Sequence, residues 1–213
     1  NKVGAGALVF DPAAQTGWAA ITLGFGLIVT VQGFETSRYL GEDFDAKKIP
    51  EDVTLVTAAV DVQDDRLEYE LLGWGDNGQT WSLEYGYIYA DDNLSEDRPW
   101  SDLDLLLKRT FMHPIFGEIP IRNACIYSGG GYTQKVYEFC EFRPRAQAIK
   151  GVTGWGKPFV GRPMKNTINN HRVYPLGVDV IKETVVARLK INDPEKNGYC
   201  RFPITYTDEY FKM

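Results

Sequence analysis

The stretch Val53 to Gly75, VTLVTAAVDVQDDRLEYELLGWG, constrains this chain more than any other. It opens with an apolar run, Leu55 to Val60, that ends on a carboxylate, Asp61. A polar turn follows (Gln63, Asp64, Asp65), then a second run, Leu67 to Trp74, rich in β-forming residues. Two such runs across a short Asp-rich turn predict a β-hairpin. The first run lacks polar alternation, the pattern of a strand covered on both faces. An acid that ends a buried strand needs its charge compensated, by a metal ion or by hydrogen-bond donors. A turn-forming Asp is the plainer alternative at Asp61.

With 213 residues, 44% of them hydrophobic and 13% aromatic, the chain has the material for a sizeable core. One domain of about 150 residues with an extension fits better than two full domains. The formal net charge of −6 argues against a nucleic-acid binder that works through basic excess. It leaves open an enzyme that meets phosphates through divalent metal ions, which supply positive charge locally. Cys125, Cys140 and Cys200 are far apart and form no CxxC pair, so neither a disulfide framework nor a zinc site is predicted. They read as small apolar core residues in a reducing compartment. No signal peptide is read, and no membrane span. Ile21 to Phe34 is the most apolar stretch, but it is short and interrupted by Gly, Thr and Gln.

Along the chain, residues 1–50 are rich in Gly and Ala, with a short helix expected around Gly17 to Ile21. Lys47-Lys48-Ile49-Pro50 reads as a Pro-closed linker, so residues 1–50 form a connector and 51–213 the domain. Asp76-Asn77-Gly78 turns the chain into a third strand, Gln79 to Tyr89. Leu103, Leu106, Leu107 and Phe111 make a helical stripe over Trp100 to Phe111, with Ser101 as its N-cap. Ile119 to Tyr127 is a buried fourth strand, Ser128 to Gly131 a tight turn, and Tyr132 to Cys140 a second helix. Arg145 to Lys150 gives a fifth strand, Arg172 to Leu176 a further one, and Val180 to Leu189 a third helix that Asp179 can N-cap. Hairpin-linked strands followed by α/β alternation predict an α/β fold, a mixed sheet flanked by helices. If the fourth strand runs parallel to the first, Asp61 and the Tyr127-Ser128 turn lie side by side at their carboxyl ends. Open α/β sheets build their sites at that edge.

Several segments in this order carry a resemblance: VDVQDDRLE followed by GWG, then ACIYSGGGYTQKVYEFC, AIKG, GVDVIKE and GYCRFP. Together they resemble the C-terminal nuclease domain of the large terminase subunit of tailed phages, in its lambda-like GpA branch. The likeness runs from about Val53 to the end, and Phe34 to Phe44 resembles the connector between that family's ATPase and nuclease domains. The resemblance implies a ribonuclease-H-like fold and a DNA endonuclease dependent on Mg²⁺ or Mn²⁺. It further implies a role in cutting concatemeric phage DNA during packaging, in the cytoplasm of the bacterial host. The implied partners are double-stranded DNA, the terminase small subunit and the portal, with no membrane.

The family pattern assigns Asp61 as metal ligand and catalytic residue. It has an Asp where this chain has Tyr127, and a third acid on a C-terminal helix beyond Met213. Two-metal phosphodiester hydrolysis needs carboxylates from neighbouring strands, and a neutral phenol is a poor substitute for one. These two departures would impair cutting, and the alternative function is a catalytically inactive ribonuclease-H-like DNA-binding or assembly domain. Asp179 either caps its helix or stands near the metal site, and is the second catalytic candidate. Asp64 and Asp65 read as solvated turn acids that could also contribute ligands. Ser128, Gly129 and Gly130 form a turn in which backbone N–H groups can approach a phosphate, or simply a tight strand-to-helix connection. Arg143, Arg145, Lys157, Arg162 and Lys165 make residues 143–165 locally basic, the candidate DNA-facing side, with an ordinary charged loop as the other reading. Lys150, closing the fifth strand, either contacts a phosphate or faces solvent, and with Arg143, Arg145 and Lys157 it completes the candidate DNA contacts. Gly151 to Lys157 fits GxxxxGK, but Pro158 stands where a phosphate-binding loop needs a hydroxyl, so no nucleotide binding is predicted there.

Overall fold

The computed structural model describes residues 41, 42, 44, 48–165, 171–206 and 210. The helix expected around Gly17 to Ile21 lies outside them. The expected hairpin forms between β2 (Leu55–Val62) and β3 (Arg66–Trp74), in register from Leu55↔Trp74 to Val62↔Leu67. Gln63 N–H donates to the carbonyl of Arg66 and closes the turn. A second turn carries β3 into β4 (Thr80–Tyr89). There Asn77 and Gly78 take positive φ (59° and 71°), which Asn and Gly tolerate best.

α1 spans Arg98–Leu107 and starts earlier than its stripe suggested, with Pro99 in the first turn and Asp97 as N-cap. Ser101 therefore does not cap it: its hydroxyl donates to the carbonyl of Asp97 from inside the helix. Phe111 is not helical either. It belongs to β5 (Thr110–His113), which pairs antiparallel with the first residues of β6 (Gly117–Tyr127). At this break Arg109 forms a bidentate pair, its two guanidinium nitrogens each 2.8 Å from an oxygen of Glu84 on β4.

The remaining elements are α2 (Thr133–Glu141), β7 (Ala146–Val152), β8 (Met164–Lys165), β9 (Arg172–Gly177), α3 (Val178–Leu189) and β10 (Cys200–Pro203). With β1 (Gly41–Glu42) they form a sheet in the order β1-β10-β4-β3-β2-β6-β7-β9-β8, and β5 adds to β6 off this path. β6 runs parallel to β2, β7 to β6, and β9 to β7, as the α/β alternation requires. The antiparallel hairpins β2–β3–β4 and the parallel run β2–β6–β7–β9 meet at β2, while β10 and β1 add in parallel beyond β4 and β8 pairs antiparallel with β9. This is the mixed, ribonuclease-H-like α/β sheet.

Two apolar layers sandwich it. On one face Val56, Ala58, Val60 and Ile126 pack under α1 and α2 through Trp100, Leu103, Val136 and Phe139. On the other, Ala59, Cys125, Ile149 and Leu72 pack under α3 through Ile181, Val185 and Leu189. β2 is buried from Val56 to Val60 whatever the parity of the residue, as its unbroken apolar run predicts. All three cysteines are buried thiols. Arg188, 9% exposed, donates to the carbonyls of Gly198 and Gly78 and so ties the end of α3 to the start of β4.

One buried acid stands apart from the site. Glu70 on β3 is 1% exposed; Ser82 Oγ and Tyr210 Oη both donate to its Oε1, at 2.6 and 2.8 Å. Its Oε2 has no hydrogen-bond partner, and burial pushes its carboxyl up to about 7. A raised carboxyl contributes stability that is complete below the unfolded value and lost as pH rises through the folded one. Stability should therefore fall from about pH 4.5 to about pH 7 by roughly 3 kcal/mol. Glu70→Gln should flatten that part of a urea-denaturation pH profile, and an unaltered profile would mean that Glu70 does not carry it.

Candidate functional site

Asp61 is the penultimate residue of β2, at the carboxyl edge of the sheet where the β6, β7 and β9 strands also end. Strand alternation sets its side chain on the α3 face, opposite to Val60 and Val62. Both carboxylate oxygens are already oriented: the N–H of Val62 donates to one at 3.0 Å, and Gln63 Nε2 to the other at 2.6 Å. Burial nonetheless holds this carboxyl above its ordinary value, against those two donors, with the charge of Glu68 adding to the rise.

Glu68 is the residue that sequence reasoning missed. It is the register partner of Asp61 across the hairpin, so the two Cβ atoms stand about 4.5–5.5 Å apart on one face. The signal was present in the turn. Pairing Val62 with Leu67 across Gln63–Asp65 puts residue 68 opposite residue 61 by counting alone. Arg66 balances the pair, with its guanidinium 2.6 Å from Glu68 and 2.8 Å from Asp65. Asp64 and Asp65 themselves are exposed turn acids.

On the other side of Asp61 lies the end of β6. Register runs to Val60↔Ile126, so Tyr127 is next in line beside Asp61, as the parallel arrangement required. Its ring lies across the edge between two glycines. A Cβ on Gly129 would overlap the phenol of Tyr127, and Gly151 lies against the same ring and against Val178 at the start of α3. Both glycines are thus fixed by close approach rather than by turn geometry.

Ser128 is buried and staples β6 to β7, its N–H and hydroxyl both donating to the carbonyl of Ile149 at 2.8 and 2.9 Å. Gly130 approaches the carbonyl of Val62, and Tyr132 Oη donates to the carbonyl of Asp64, so this turn and the start of α2 sit beside the end of β2. Asp179 does not N-cap α3: Gly177 occupies the cap, because β9 runs straight into the helix. Asp179 lies in the first turn and accepts a hydrogen bond from the N–H of Gly154 at 2.8 Å, which pins the loop after β7.

The basic residues are divided. Lys150, exposed near the end of β7, and Lys157, in the loop pinned by Asp179, lie on the Asp61 edge. Arg143 and Arg145 precede β7 and lie at the opposite edge, roughly 20 Å away along the strand. There they line a groove of about 490 Å³ with Leu107, Ile121 and Ala146. Arg143 is held by Asp104 at 2.5 Å and stacked 4.1 Å over Phe139.

Asp61 and Glu68 offer hard oxygen donors. Such a pair suits one Mg²⁺ or Mn²⁺, an ion usually bound by one or two carboxylates with water and phosphate completing the shell. Among the described residues, no group of three or more His, Cys, Asp or Glu is arranged to hold a metal. The donor set therefore fits one ion and lacks the ligands for two.

A family model described as the endonuclease domain of the terminase large subunit gpA matches residues 35–213. A second, described as an APC superfamily transporter, matches residues 1–51, most of which lie outside the described residues. No helix among the described residues is long and apolar enough to cross a membrane. The terminase large subunit of Escherichia phage lambda is 27% identical over 160 residues, covering 73% of this chain and 25% of the relative. That of Enterobacteria phage P21 is 25% identical over 165 residues, covering 76% of this chain and 25% of the relative. The chain thus spans about a quarter of the length of the curated relatives it matches. No solved structure matches it.

Proposed function

The chain belongs to the family of the terminase large subunit gpA endonuclease domain, and from that premise we propose a divalent-metal DNA endonuclease centred on Asp61. One observation carries the assignment of the centre. A desolvated acid ends the strand where the two halves of the sheet meet, and a second acid stands directly opposite it. In this proposal Asp61 and Glu68 hold Mg²⁺ or Mn²⁺. When bound, the ion supplies Lewis-acid polarisation of the phosphate and a water of lowered pKa.

The protein's own residues do the rest. Val62 N–H and Gln63 hold Asp61 in one orientation, and Arg66 Nε donates to the carboxylate of Glu68 at 2.9 Å and holds it in place. Lys150 and Lys157 neutralise the DNA backbone on that edge, while the Gly129 and Gly130 N–H groups of the turn after β6 are the ones left to meet a phosphate, since that of Ser128 bonds Ile149. Asp179 acts through the loop it pins rather than on the ion. The substrate is double-stranded concatemeric phage DNA in the bacterial cytoplasm, and the partners are the terminase small subunit and the portal.

A second reading has an observation in its favour. The Tyr127 ring occupies the edge beside Asp61, where the family pattern has a carboxylate, which suits a domain that binds DNA or portal without cutting. Supercoiled-plasmid nicking with Mn²⁺, and with EDTA as control, separates the two. Nicking that needs Mn²⁺ supports the endonuclease, and binding without nicking supports the inactive domain.

The division of the basic residues gives a separate expectation. Lys150→Ala with Lys157→Ala should lower the salt slope of duplex binding by about two, at roughly one unit per phosphate contact. Arg143→Ala should leave that slope unchanged and instead cost about 1 kcal/mol of stability through its lost contacts to Asp104 and Phe139. A slope that falls with Arg143→Ala would move the DNA path to the opposite edge.

A further inference from the structure

The Gly151–Lys157 stretch, which is no phosphate-binding loop, has a different shape and a different use. Trp155 at its tip is 99% exposed, whereas Trp74, Trp81 and Trp100 are 6%, 3% and 6% exposed. Tryptophan is highly buried on average, and among the described residues Trp155 is the most exposed large apolar side chain, ahead of Phe142 and Leu105, so this bare indole needs a reason. Its neighbours Gly154 and Gly156 take positive φ, 119° and 70°. That backbone makes a tight tip which other residues would enter only with strain.

Both feet of the loop are anchored. Asp179 Oδ2 accepts the N–H of Gly154 at 2.8 Å. The carbonyls of Lys157 and Pro158 press so closely on Gly177 that a Cβ there would meet them at 3.2 and 2.5 Å. The indole is therefore presented on a fixed mount. It stands on the same sheet edge as Asp61 and next to Lys157, and the preceding strand end, Gly151, touches the Tyr127 ring.

An exposed aromatic on a rigid mount with lysines nearby is what stacks on an unpaired base. Every base has a π-face, so the contact tolerates any sequence, and lysine supplies the backbone attraction. We propose that Trp155 is a nucleobase-stacking site, taking a base displaced from the duplex beside the Asp61 edge, with Lys157 on the adjoining phosphate. This rests on DNA being the substrate, and it adds a preference for locally unpaired DNA.

The test uses the whole chain in EDTA, so that no cutting intervenes. Tryptophan emission is followed while a short single-stranded oligonucleotide, its blunt duplex, and the duplex with one unpaired base are titrated in. Single strand and unpaired duplex should quench strongly, and the difference should vanish in Trp155→Phe. Trp155→Ala should weaken single-strand binding about tenfold while changing blunt-duplex binding less than twofold, and Trp155→Phe should retain most of the affinity. Equal affinities for parent and Trp155→Ala would overturn the proposal. So would an equal loss toward inorganic polyphosphate, which has no base to stack. Self-association abolished by Trp155→Ala, with DNA binding untouched, would also overturn it and assign the indole to a contact between copies. A chain that stacks bases in this assay but never nicks plasmid with Mn²⁺ upholds the stacking site and refutes only the endonuclease.

Discussion

Tyr127→Asp should tighten Mn²⁺ binding about tenfold or more and, without metal, lower the stability of the domain. The first effect follows from the sheet. Position 127 is next to Asp61 across parallel strand ends, so an aspartate there adds a third hard ligand to Asp61 and Glu68. A gain of one ligand worth about 1.4 kcal/mol is already a factor of ten. The second effect has two sources. The Tyr127 ring fills the space between Gly129, Gly151 and Val178, and removing it leaves a gap worth about 2–3 kcal/mol for a half-buried aromatic. Two adjacent carboxylates also repel, and one of them is held above its ordinary value. A carboxyl raised in this way stabilises below its unfolded pKa and loses that contribution as pH rises through the folded one. The metal-free variant should therefore regain part of its stability in acid, and Mn²⁺ at neutral pH should restore it by mass action. Calorimetric titration and thermal melts with and without Mn²⁺ measure both. A variant that binds Mn²⁺ no better than the parent would remove Tyr127 from the ion's surroundings and the site assignment with it.

Asp61→Ala should reduce Mn²⁺-dependent nicking by at least about 100-fold, since the Lewis-acid term is worth several kcal/mol. The fold should survive. Asp61 is desolvated and its carboxyl is raised by burial, so its charge opposes folding at neutral pH. Asp61→Asn keeps the shape, removes that charge, and should melt no lower than the parent at pH 7 and close to it below pH 4. The same variant should lose the thermal shift that Mn²⁺ gives the parent, a readout that needs no catalysis. Nicking at the parental rate by Asp61→Asn would place the catalytic acid elsewhere.

The parts of the fold that were readable have local causes. β2 announced itself by an unbroken apolar run and β3 by its β-formers, and the Asp-rich turn between them fixed both ends. The parallel neighbour of β2 followed from the helix between strands. Long-range contacts hid the rest. The stripe through Leu103, Leu106 and Leu107 runs on to Phe111, and what ends the helix lies elsewhere in the chain: the pairing of Phe111 with Ile119 on β6, beside the Arg109–Glu84 pair. β10 is four residues ending on Pro203, too short to show a period, and it exists because β4 offers an edge. At the site, Asp61 was visible as an anomaly in its strand, and Glu68 would have been had the hairpin register been counted outward. The roles of Ser128 and Asp179 were not visible, because the carbonyl of Ile149 and the N–H of Gly154 that they bond are backbone groups brought in by other elements.

The placing of β10 between β4 and β1 bears on how such a chain comes off a ribosome. β4 has β3 on one side from early on, but the start of its other edge, Thr80 and Trp81, is paired by Cys200 and Arg201, and β1 waits for the next two residues, Phe202 and Pro203. Until they emerge, the start of β4 presents open amide donors and acceptors beside Trp74 and Leu72, whose cover of Tyr199 and Phe202 has not yet arrived. A nascent chain of this kind is obliged to keep that edge from joining a neighbour's from the time β4 emerges until Cys200 and Arg201 follow it. Closure joins segments far apart in the chain, and topology of that kind folds slowly.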